Sequence, residues 1–226
     1  MSDNYFIDVF RKFHQSVHME ILLSRESARN LATTMEYYEG FLKDIFSALL
    51  SYDSERAAVL GFQLPAIVSS WEQIRVLVNS QKISSKPFSN RPTSGTAIRK
   101  WLTGEFPILD AISKGDNVFD LNYATLTEVL VDLRHDITHR DRTLGSKSIA
   151  KLTLIKQYLS VEEIASDYLL IPTEKQVKFV LDKLLECAFA FAKTLSIQYK
   201  LSYAKHTYSN KPEIMLREGR WSGFRE

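Results

Sequence analysis

From residue 5 to residue 50 the chain sets apolar side chains three and four positions apart. Ile21, Leu22, Arg25, Ala28, Leu31, Ala32, Met35, Tyr38, Leu42, Ile45, Phe46 and Leu49 form a largely apolar stripe with few interruptions, which is the period of an amphipathic helix. The spacing predicts one very long helix, with His18 as the place where it would break. Ser51-Tyr52-Asp53-Ser54 then supplies turn and capping residues, and Glu55 falls in the first turn of a second helix reaching about Ser80. Gly61 and Pro65 lie inside that stretch, so a kink or break is expected there.

Residues 81–95 lose the period, are rich in Ser and Pro and contain no acid, which reads as a surface loop. Lys82, Lys86 and Arg91 would let the same segment meet phosphates. Short helices follow at 96–103 and 107–113, separated by Gly104 and Pro107. Asp120 or Asn122 caps the next helix, whose buried face is set by Leu126, Leu130, Leu133 and Ile137. The run from Arg142 to Lys147 is a turn. Residues 148–159 are open between helix and short strand, with helix preferred. Ser160-Val161-Glu162-Glu163 fits a capping box for a short helix. Thr173-Glu174-Lys175-Gln176 fits another, opening a last helix over 174–206 that would be about 50 Å long at a rise of about 1.5 Å per residue. The pattern predicts an all-α helical bundle with long N- and C-terminal helices as a single domain over 1–206. Residues 207–226 form an irregular tail with Lys211, Arg217, Arg220, Trp221 and Arg225, a mixture of bases and aromatics that suits single-stranded nucleic acid or a partner-bound end.

Composition changes this picture little. A chain of 226 residues with 45% hydrophobic and 25% charged content is ordinary for a globular protein. The net charge of +2 gives no global pull toward nucleic acid, so any such binding needs a local patch. The single cysteine, Cys187, excludes an intrachain disulfide and lies in an apolar run, which suits a buried, inert thiol. The start lacks the features of a signal peptide and the longest apolar run is too short to span a bilayer, so a cytoplasmic protein without membrane attachment is expected.

Candidate chemistry concentrates in Asp132-Leu133-Arg134-His135-Asp136-Ile137-Thr138-His139-Arg140-Asp141. Histidine is the side chain suited to moving a proton near neutral pH, and arginine presents a fixed planar cation to a phosphate. In an unbroken helix the five steps from Arg134 to His139 turn through about 500°, leaving the pair about 140° apart. Convergence therefore needs either a helix that ends near Thr138 or a second subunit. A rival reading uses Glu128, Asp132, His135 and His139, spaced along one helical face, as metal ligands, although no second helix offers a matching set. The plainest reading is a solvated polar face whose Asp and Arg residues pair locally. His14 and His18 read as an exposed helix face, and Trp71 and Trp101 as core or rim aromatics.

Arg134, the polar His135, three further residues and His139 resemble the motif of the HEPN superfamily (higher eukaryotes and prokaryotes nucleotide-binding domains). The match covers six residues, and the helical reading extends it loosely over 120–206. The resemblance implies an α-helical bundle, a homodimer with the site where two motifs meet, and metal-independent cleavage of single-stranded RNA. Arg134 and His139 would be the core catalytic residues and His135 their support. Arg140, Arg142 and Lys147 in the basic turn are the RNA-binding candidates. No metal or cofactor is implied. The setting would be defence, stress response or a toxin–antitoxin system, with an antitoxin or other protein partner. The alternative is a non-catalytic helical module that binds a nucleotide or a protein.

Overall fold

The stripe between Ala28 and Leu49 becomes the axis of the molecule. In the computed structural model, which describes residues 4–23, 27–80, 92, 94–115 and 122–202, that stripe lies on α2 (Ser27–Tyr52). Around α2 pack α1 (Tyr5–Leu23), α4 (Trp71–Ser80), α5 (Gly95–Glu105), α7 (Tyr123–His139) and α10 (Glu174–Gln198). The remaining described elements are α3 (Ser54–Val59), α6 (Pro107–Lys114), α8 (Ser146–Ile149), α9 (Leu152–Tyr158) and an antiparallel hairpin of β1 (Val161–Ile164) and β2 (Asp167–Leu170). The fold is an all-α bundle carrying one small hairpin. Its buried apolar side chains join into one cluster running through these helices.

A helix packed on several sides also buries polar groups, and each needs a bond. On α2 the Ser47 hydroxyl donates to the Lys43 carbonyl. The Asp44 carboxylate accepts from Lys12 of α1 at 2.8 Å and from Arg75 of α4 at 2.6 Å, tying three helices at one point. At the chain's start, Asn4 caps α1 by accepting from the Phe6 and Ile7 amides. Its own amide donates to Ser196 Oγ on α10 and to the Ser202 carbonyl beyond it.

Several expected boundaries move. The first helical stretch is two helices, and α1 continues past His18 to Leu23. The second stretch breaks outright. After α3, Gly61 takes φ 71° and the Phe62 amide bonds back to the Ala57 carbonyl, closing the helix end, and α4 begins only at Trp71. The last helix stops at Gln198 instead of 206 for the same reason. Lys200 takes φ 55° and the Leu201 amide bonds to the Ser196 carbonyl. With 25 residues its length is about 37 Å. Residues 148–159 are helical in two pieces, as preferred.

The helix expected at 160–163 is instead strand β1. Ser160 does not cap. Its hydroxyl and amide are both engaged by the Gln176 side chain, the same glutamine that completes the Thr173 capping box of α10. The hairpin is held by the segment before α8, because the Leu144 amide donates to the Tyr168 carbonyl and the Leu170 amide to the Arg142 carbonyl. His14 is not on an exposed face: it is 5% exposed, with its ring 6.1 Å from Phe10. Trp71 is buried, and Trp101 packs edge-on against Phe46 at the rim. Lys82, Lys86, Arg91, Asp120 and residues 203–226 lie outside the described residues.

Candidate functional site

The site is built on the C-terminal half of α7. Asn122 caps the helix by accepting from the Thr125 amide. Leu126, Val129, Leu130 and Leu133 bury one face against the core, while Ile137 is only half-buried. The deepest position of the last turn is taken by Asp136, 3% exposed. The helix runs unbroken through His139 and is capped by Arg140. Arg134 and His139 therefore remain on different sides of one continuous helix.

Arg134 is half-buried and its Nη1 donates to Glu39 Oε2 on α2 at 2.8 Å. Glu39 in turn is pressed by the start of α5: a Cβ on Gly95 would stand 3.1 Å from the Glu39 Cγ. His135 and His139 are both exposed one turn apart, with ring centroids 4.7 Å from each other. The other polar groups of this face are taken up locally. Glu128 accepts from Arg99 at 3.0 Å, and Asp132 from Lys151 at 2.7 Å. The two carboxylates of the metal reading thus carry cations, and no group of three or more potential ligands is found among the described residues.

Beyond the helix the chain turns sharply. Asp141 and Arg142 take φ 46° and 70°, which side-chain-bearing residues adopt only under constraint. The constraint is visible. The Asp136 carbonyl accepts from both the Arg140 and Arg142 amides, and the Thr143 amide returns to the Arg140 carbonyl. The turn leads back along α7 and opens a groove of about 340 Å³. Arg134, His135, Arg140 and Lys147 line it, with Val131, Asp132, Asp136 and the small residues Gly145, Ser146 and Ser148. Lys147 is exposed and makes no ion pair with a described residue. The groove is thus a shallow, mixed-charge cleft in which Arg134, His135, Arg140 and Lys147 share the lining with the carboxylates of Asp132 and Asp136, and its cations are the groups that could meet a phosphate or another small anion.

Four of the six residues singled out from the sequence share this groove. The other two do not line it. His139 stands beside His135 without lining the groove, and Arg142 has its carbonyl bound to the hairpin and its Nε 3.9 Å from Asp141. Nothing in the sequence marks Glu39 or Ser148 as a site residue, Gly145 reads only as part of a turn, and Asp136 reads only as one acid of the central stretch. Asp136 did carry a signal, because it follows Leu133 by three positions on the apolar face. Glu39 carried none that could be linked to Arg134, since 95 residues separate them.

Away from the groove, Cys187 is buried on α10 within 3.5 Å of the Tyr38 hydroxyl, and burial pushes its thiol up to about 12. It is inert at neutral pH. Comparison of the chain with protein-family models, with curated proteins and with solved structures finds no match.

Proposed function

We propose that the chain is a metal-independent endoribonuclease of the HEPN type that acts on single-stranded RNA as a homodimer. The observation that carries the reading is the groove lined by Arg134, His135, Arg140 and Lys147, with the exposed His139 ring 4.7 Å from that of His135. In the reaction the ribose 2′-oxygen bonds to the adjacent phosphorus as the bond from phosphorus to the 5′-oxygen breaks. The 2′-hydroxyl proton passes to His139, and the departing 5′-oxygen gains a proton from a second histidine, the role assigned to His135. Arg134 offsets the charge that develops on the phosphoryl oxygens. The products are a cyclic phosphate and a free 5′-hydroxyl.

Because α7 is continuous through His139, one copy does not bring Arg134 and His139 to the same point. The second copy supplies the missing partner, His139 of one protomer meeting Arg134 of the other. Arg140, Arg142 and Lys147 bind the flanking phosphates. A defence or toxin–antitoxin setting, a cytoplasmic location and an antitoxin-like protein partner belong to the same proposal. Among the described residues no helix is long and apolar enough to cross a membrane.

One observation favours a second reading. The Arg134 guanidinium already has an anionic partner in Glu39, and an arginine so engaged suits a non-catalytic module that binds a nucleotide or protein. The deciding experiment is cleavage of labelled single-stranded RNA in EDTA by the wild type, His139→Ala and Arg134→Ala. Cleavage that survives EDTA, leaves cyclic phosphate ends and disappears in both variants supports the ribonuclease. RNA binding without cleavage supports the module, and cleavage that depends on a divalent ion sinks the metal-free mechanism.

A further inference from the structure

Of the acids in the central stretch, Asp136 alone is buried; Asp132 is half-buried and Asp141 exposed. Its carboxylate does not face the core helices. Oδ2 accepts from the Gly145 amide at 3.0 Å and from the Ser148 hydroxyl, both on the far side of the turn. Oδ1 stands 3.5 Å from Arg140 Nε. Its carbonyl holds the Arg140 and Arg142 amides. One residue of α7 thereby grips the turn at residues 140, 142, 145 and 148.

The grip needs both close approach and negative charge. A Cβ on Gly145 would sit 2.9 Å from Asp136 Oδ1 and 3.2 Å from Arg140 Nε, so this glycine is what lets the turn lie against the carboxylate. All the groups that face the carboxylate are donors: an amide, a hydroxyl and a guanidinium. An asparagine accepting from Gly145 and Ser148 would turn its NH₂ toward Arg140, donor against donor.

We propose that Asp136 is a positioning residue that holds the 140–148 turn against α7, so that Arg140 and Lys147 face the groove lined by Arg134 and His135. The purpose of that groove rests on the ribonuclease reading, whereas the grip on the turn does not. A bond to a buried carboxylate is costly to break, so the turn is expected to stay closed in the wild type and to open when the charge is removed.

The test compares wild type, Asp136→Asn, Gly145→Ala, Ser148→Ala and the surface control Asp110→Asn, whose carboxylate pairs with the exposed Lys114 one turn on. Amide hydrogen exchange is read at Gly145 and its neighbours and at residues 126–133 of α7. Binding of a single-stranded RNA oligonucleotide is read as a function of salt. In Asp136→Asn, exchange is expected to speed up over 140–149 while 126–133 stay protected. RNA affinity should drop several-fold, and the plot of log affinity against log salt should become shallower by about 0.7 for each cation withdrawn. Gly145→Ala and Ser148→Ala should shift both readings the same way by less, and Asp110→Asn should match the wild type. Unchanged protection in Asp136→Asn overturns the proposal, as does faster exchange with unchanged RNA affinity and salt slope. Loss of protection throughout α7 makes Asp136 a general stability residue and equally overturns it, with Ser148→Ala as the milder check. A wild type that fails to bind the oligonucleotide sinks the RNA reading instead, and exchange alone then decides the grip.

Discussion

Two buried carboxylates hold this molecule together in opposite ways. Asp44, about two-thirds of the way along α2, is met by two cations from neighbouring helices, Lys12 and Arg75. Asp136, at the end of α7, is met first by an amide and a hydroxyl of a turn, with Arg140 farther off at 3.5 Å. At Asp44 the charge is consumed where it stands, and the result is a junction of α1, α2 and α4. At Asp136 the bonds are spent on shaping backbone, and Arg140 keeps most of its donors for the groove. A carboxylate met by two cations joins helices, while one met mainly by neutral donors, with a single cation farther off, shapes the turn beside an open cleft.

The sharpest way to break this contrast is to remove each acid. Asp44→Ala leaves the Arg75 side chain, 20% exposed, without its carboxylate, and is expected to cost about 3 kcal/mol of global stability in urea unfolding. Asp136→Asn should cost about 1–2 kcal/mol in the same measurement, with the turn affected before the bundle. If the two variants unfold with equal loss and equal cooperativity, the distinction between junction and turn fails.

Activity separates the regions next. Glu39→Gln removes the negative partner of Arg134 while keeping an acceptor at 2.8 Å. In the RNA assay it should change kcat less than Arg134→Ala does, and Asp44→Asn should leave KM unchanged in whatever fraction of the protein stays folded. A Glu39→Gln variant as inactive as Arg134→Ala would promote the carboxylate from orienting the arginine to being indispensable.

The smallest expected effect concerns a third acid. Burial opposes ionisation of Asp53, but hydrogen bonds from the Arg56 amide, the Tyr199 hydroxyl and the Arg56 guanidinium outweigh it and hold its carboxyl below the ordinary value of 3.8. A depressed acid stabilises the fold above its unfolded value and loses that contribution as pH falls through the folded one. Thermal melts of the wild type should therefore fall more steeply below about pH 4 than those of Asp53→Asn, and parallel curves would remove Asp53 from the account.

The long helices were readable because their burial follows a local period, as the stripes of α2 and α10 show. Caps were readable for the same reason. Asn122 and the Thr173–Gln176 box act on amides within three residues. Partners distant in sequence were not. Ser160 has the same local credentials as Thr173, yet Gln176 captures it and the residues after it pair as a hairpin against 142–144. The interior place of His14 is legible, since Phe10 lies four positions before it and Val17 three after it, and both are buried. At the site, the residues themselves stood out in the sequence, whereas the Glu39 contact and the Asp136 grip depend on how separate segments meet.

The bond from Asn4 to Ser196 has a consequence in time. A ribosome releases Asn4 some 192 residues before its acceptor. Until α10 emerges, Phe6 and Phe10 have no Tyr199 or Phe189 ring to pack against, and the nascent chain exposes that aromatic edge to chaperones and proteases. A chain that ends before Ser196 thus lacks both the acceptor of the Asn4 amide and the Tyr199 ring that packs on Phe6, and α1 is left without that part of its closure.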